Sequence, residues 1–225
     1  MTLWNIHLLN ARHTLTPVLS EVRQASRTAV ARASDHTDLP DFDLVVRAQG
    51  DRSADGAIQG HCPAPGVVEI AVTPDRFDPT AFARVLVRQM AHLVRREGPG
   101  YGRSLGEVLV SEGLAGHFVL QVLGGPADAV DTVRPAQGVM RQAMNEWARR
   151  DHDHSRWFAG KGDLRRGTGT SLGHRLVAEH MAATSGDTAA SLATAPAEPF
   201  RQVLRRIAAA DGMDGASDPE ASSES

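Results

Sequence analysis

An α+β fold is what this sequence predicts, and three features carry the expectation. Two early runs, Asp41 to Ala48 and Gly66 to Thr73, have strand length and are rich in Val and Leu. The segments that follow repeat apolar residues at helical spacing and are punctuated by Gly and Pro. Strands first and helices after is the order of a small mixed sheet packed on a mostly helical body. A chain of 225 residues, 41% apolar and 23% charged, suits one domain over residues 1–210. Residues 211–225 hold Asp211, Asp214, Asp218, Glu220 and Glu224 with no Lys or Arg, and read as a disordered acidic tail.

Taken in order, Thr16-Pro17 starts a helix over residues 16–34, because Pro suits the first helical position. The strand at 41–48 comes next, then a Gly-, Asp-, Ser- and Pro-rich loop over 49–66. In the second strand, Glu69 among apolar neighbours predicts an edge position with one wet face. Asp78-Pro79 opens a helix that runs to about Glu97 and stops at Gly98-Pro99-Gly100. Further helices are expected over 104–123, 135–150, 171–184 and 196–210, with a long loop over 151–170.

Composition excludes several classes. The net charge is −3, so no global positive field draws a nucleic acid. The paired arginines, such as Arg95-Arg96 and Arg149-Arg150, are scattered and read as solvated faces. The single Cys62 excludes an intramolecular disulfide, and its adjacency to His61 does not establish a nucleophile–base pair. The N-terminus has no basic region before an apolar core, and no apolar run approaches the ~20 residues of a membrane span. A cytoplasmic location is expected, with no membrane or nucleic-acid partner. No feature sets an oligomeric state.

The chemistry concentrates between Val85 and Val119. Arg88 and His92 lie at i and i+4, on one helix face. Glu112 interrupts an otherwise apolar stripe of the next helix, with Leu105, Val108, Ala115 and Val119. It therefore reads as a core-facing carboxylate in want of a cation, a metal or a raised pKa. Gluzincin peptidases hold zinc with two His at i and i+4 and a Glu from a following helix, and the Glu beside the first His acts as base. Here Arg88 stands for the first His and Gln89 for the base. His92 and Glu112 keep the second-His and distal-Glu positions.

The segment RQMAHLVRREGPGYGRSLGEVLVSEGLAGHFVLQVLGG at 88–125 resembles a bacterial family of predicted zinc-dependent proteases. Those proteins carry a motif like HELHHxxR followed by a stretch like GPGYGRTLGEALVSEGLAGHFV. The likeness extends from the HLLNAR run at 7–12 to the DHSRWF run at 153–158 and the SLGHRLV run at 171–177, covering about residues 5–205. The resemblance implies a zincin-like metallopeptidase fold; with the motif broken no cofactor is expected, and zinc is the one to consider if any metal is retained. It also implies that Gln89 replaces a base and that Thr170 stands where a Tyr would act as oxyanion donor.

These departures point to a degenerate homologue, proteolytically inactive, that retains peptide or protein binding. A guanidinium stays protonated and cannot ligate a cation, and an amide does not accept a proton from water at neutral pH. Arg88 is instead suited to neutralise Glu112 by a fork on its carboxylate. His117, His154 and Arg156 are further cleft candidates. The His152-x-His154 tract, flanked by Asp151 and Asp153, reads as a wet loop. An alternative keeps activity by rearrangement: His92, Glu112 and one of His117, His154 or His174 hold zinc, with Glu107 as base. A third reading is a non-enzymatic interaction protein. In either peptide-binding case Val67 to Val72 is the strand expected to pair with an extended peptide.

Overall fold

The computed structural model describes residues 2–50 and 56–214. The acidic tail expected from 211 lies outside them, apart from 211–214, which continue the last helix to Asp214. The fold is α+β, as the sequence predicts: a four-stranded mixed sheet and six α-helices among the described residues. The elements are β1 (Trp4–Leu9), α1 (Leu19–Ser34), β2 (Phe42–Ala48), β3 (Ile58–Ala64), β4 (Val67–Val72), α2 (Pro79–Arg96), α3 (Leu105–Leu123), α4 (Val139–Glu146), α5 (Thr168–Ala183) and α6 (Glu198–Asp214). They divide between two compact units. Of the described residues, the first holds 2–50, 56–101, 114–127 and 187–195, and the second 102–113, 128–186 and 196–214.

In the first unit the strand order is β1-β2-β4-β3. β1, β2 and β4 are parallel, and β3 is antiparallel to β4. Leu44, Val46, Val68, Ile70 and Val72 are fully buried on one sheet face, against a core that includes Val22, Ala29, Phe82, Leu86 and Met90. Alternate residues, such as Asp43 and Val45, fall on the open face, the period of two that a half-covered sheet requires. The helix α2 starts where Asp78 caps it: the carboxylate accepts from the backbone N–H of Thr80 at 2.7 Å and of Ala81 at 3.3 Å.

Two expectations fail here. The loop over 49–66 contains β3, and β4 is therefore an inner strand, not an edge. Gly60, Pro63 and the glycines around them conceal a strand, because each lowers β propensity. Gly60 is there because α2 passes too close for a side chain: a Cβ would sit 2.7 Å from Val85 Cγ1 and 2.9 Å from Gln89 Cγ. Glu69 is polar not because its strand is an edge but because it lies on the open face, 3.5 Å from His61 of β3.

The second unit buries Leu105, Leu109, Trp147, Trp157, Leu172, Leu176 and Phe200. Ser104 and Glu107 form a capping box on α3. The Glu107 carboxylate accepts from the N–H of Arg103 and Ser104, each at 2.8 Å. The next two N–H groups, of Leu105 and Gly106, donate to the carbonyls of Arg149 and Trp147 at 3.0 and 2.9 Å. α3 and α5 cross where Gly113 meets Gly173. A Cβ on Gly113 would run into the Gly173 carbonyl, and one on Gly173 into the Leu109 carbonyl. α4 is shorter than the 135–150 expected, because Gly138 at φ 83° breaks the chain before it. A single π turn, Ser155–Ala159, interrupts the expected loop over 151–170.

Candidate functional site

The motif residues of α2 belong to the first unit. Their half of the helix is buried nearly all round: Gln89, Met90, Ala91, His92, Leu93, Val94 and Arg95 are all buried. Arg88 is half-buried. Gln89 packs under β3, where the Cys62 thiol donates to its backbone carbonyl at 3.4 Å and to its side-chain Oε1 at 3.7 Å. Burial pushes the Cys62 thiol up to about 12, against a smaller opposing pull from Arg96. Arg96 Nη2 in turn donates to the Cys62 carbonyl at 2.6 Å. His92 meets the Tyr101 ring edge-on, with centroids 5.3 Å apart.

Arg95 is buried instead of facing water as an arginine pair would suggest. Its Nη1 donates to the carbonyls of Ala193 and Ala195, both at 3.0 Å. The alkyl stem lies within the helix packing, and the fork satisfies carbonyls that have no helix partner. The guanidinium therefore ties the end of the motif helix to residues 187–195. His117, half-buried on α3, also belongs to this unit.

Glu112, His154, Arg156 and Thr170 belong to the second unit. Glu112 is half-buried, short of the core position expected of it. Its place is set by the next residue, Gly113, at the backbone crossing with α5. His154 stacks on Phe158 at 4.6 Å and lies 6.1 Å from His152. Lost solvation against these rings lowers its pKa, while the charge of Glu112 acts in the other direction. The DHDH tract is thus ordered on one side: His152 Nδ1 bonds the Arg149 carbonyl at 3.2 Å. Thr170 is buried in the first turn of α5.

Arg156 is engaged structurally. It forks onto Asp163, with Nη2 to Oδ2 at 2.8 Å, and approaches Glu146 at 3.8 Å. Glu146 also accepts from Trp157 Nε1 at 3.1 Å. Glu107, the alternative base, already accepts two backbone N–H bonds, which hold its carboxyl below the usual range. Its Oε2 caps the start of α3, and a carboxyl held low in this way is a weaker proton acceptor.

A family model described as predicted Zn-dependent protease (DUF2268) matches residues 22–202. The chain belongs to that family. The match takes in every candidate position from Arg88 to His174 and leaves out β1. No curated protein matches the chain.

The family description implies zinc, and the donors present do not fit it. Arg88 has no lone pair to give, and Gln89 is buried under β3 with Cys62 bonded to its carbonyls. Among the described residues, no three His, Cys, Asp or Glu side chains are gathered in a way that would hold a metal ion. Also among them, no helix is long and apolar enough to cross a membrane.

Sequence reasoning missed Cys62, Tyr101 and Phe158 as neighbours of the motif histidines and of Gln89. None has a spacing signal, since each is brought in by tertiary packing. The capping box was missed too, although Ser104-x-x-Glu107 before an apolar run is its signal.

Proposed function

We propose that this member of the predicted Zn-dependent protease family is a degenerate zincin-like protein that has lost zinc-peptidase chemistry and keeps a peptide-binding role. The observation that carries the reading is the pair Arg88-Gln89 in place of the His-Glu of the zinc motif. Loss of a general base alone costs about 10²–10⁴-fold in rate, and loss of a ligand from a three-ligand site weakens zinc retention as well. The zincin-like part of the reading is supported by a mixed sheet whose antiparallel outer strand lies against the motif helix. That strand is β3, not Val67 to Val72, because β4 is paired on both sides. An extended peptide has only Ile58 to His61 to pair with, since the Cys62 carbonyl is taken by Arg96 and Pro63 has no N–H. The rearranged-site alternative loses support through Glu107, which is committed to its cap.

The purified protein is expected to carry no stoichiometric zinc and to leave casein intact with or without added zinc. Stoichiometric zinc by elemental analysis, together with chelator-sensitive casein cleavage, would overturn the reading. The double substitution Arg88→His with Gln89→Glu is expected to restore zinc binding, measured by calorimetry. Its failure would point to a site remodelled beyond the motif.

A further inference from the structure

The β1 edge of the sheet lies outside the family match and carries a feature of its own. β1 pairs with β2 on one side only, in an unbroken register from Trp4 to Leu9. Edge strands are usually blunted by Lys, Pro or a bulge. This one has none, and residues 2–11 contain no Asp, Glu, Lys or Arg. Leu3 and Leu9 are the exposed large hydrophobics among the described residues, 67% and 58% accessible. Both fall on the same face, since exposure alternates along the strand. Beside the strand, a groove of about 380 Å³ is lined by Trp4, Arg27, Val30, Ala31, Ser34 and Asp38.

We propose that this edge pairs with β1 of a second copy of the chain, antiparallel about a two-fold axis at Ile6, to make one continuous sheet across the dimer. The register follows from the residues. Centred on Ile6, it sets Leu3 opposite the partner's Leu9 and Leu9 opposite the partner's Leu3, so both exposed leucines are covered at once. Asn5 then faces the partner's His7, and Trp4 faces the partner's Leu8 at the floor of the groove. The strand brings no Asp, Glu, Lys or Arg to its copy, and its His7 is already bonded to Asp43 of β2 at 2.9 Å. The groove supplies one cation, Arg27, and one anion, Asp38, so a two-fold operation can set opposite charges against each other.

Sedimentation velocity across the micromolar range tests this. The wild-type chain is expected at twice its 24.0 kDa mass. Leu3→Lys alone and Leu9→Glu alone should each weaken association by about tenfold or more. The double variant, Leu3→Lys with Leu9→Glu, should recover most of the loss, because the register places each new charge against its opposite on the partner. Both substituted positions are solvent-exposed in a monomer, and circular dichroism checks that the variants fold. A wild-type monomer throughout the range overturns the proposal. So do single variants that associate as the wild type does, and a double variant no tighter than the singles.

Discussion

Gln89 sits beneath β3, and the thiol of Cys62 is turned inward to its carbonyl oxygens. With the thiol pushed up to about 12, the reactive thiolate is scarce near pH 8. Iodoacetamide labelling of Cys62 is therefore expected to be slower by at least about 10²-fold in the native protein than in guanidinium. Equal rates would show that the thiol is open. Glu107 makes a second residue-scale case. Its lowered pKa comes from the N–H groups of Ser104 and Arg103, which favour the charged form. Its contribution is present above the unfolded carboxylate pKa and is lost as pH falls through the lower folded one. Glu107→Gln should cost about 1 kcal/mol near neutrality, read from urea midpoints, with the difference from wild type shrinking in acid. A difference that grows in acid would contradict the cap.

Among the elements, the crossing of α3 and α5 is the most demanding. An exposed helical Gly→Ala normally gains about 1 kcal/mol. At Gly113 or Gly173 the sign should reverse to a loss of about 1–3 kcal/mol, because the new methyl meets a backbone carbonyl of the other helix. A denaturation midpoint that rises in either variant would refute the close crossing. The same elements mark how far the sequence could be read. α1, α2 and α3 were legible from Pro at the first turn, Asp78 as cap and the Gly-Pro-Gly stop. β3 was not, because its glycine answers to α2 and not to its own strand. β1 was passed over although Trp4 to Leu9 alternates cleanly. At the site, spacing singled out Arg88, Gln89, His92 and Glu112, whereas Thr170 was singled out only by the family resemblance. The surroundings of Gln89, His92 and His154 came from packing at long sequence separation, which no local pattern encodes.

At the scale of the whole molecule, neither unit is a continuous stretch of chain, and the first is completed only by residues 187–195. A fragment ending at Ala127 holds the sheet, α1, α2 and α3 but lacks the carbonyls that Arg95 binds. It is expected to be cut rapidly under limited proteolysis, and a fragment as resistant as the full chain would contradict that dependence. The two Arg95 bonds span 98 and 100 residues. Such contacts close late, since the loop entropy is spent before they form. During synthesis the N-terminal sheet would therefore leave the ribosome well before its own last segment exists. For that interval, which at about 5–20 residues per second is several seconds, the motif helix lacks the carbonyls of Ala193 and Ala195 that Arg95 binds in the finished fold. Chaperones have that window in which to act, and it is fixed by where Ala193 falls in the gene.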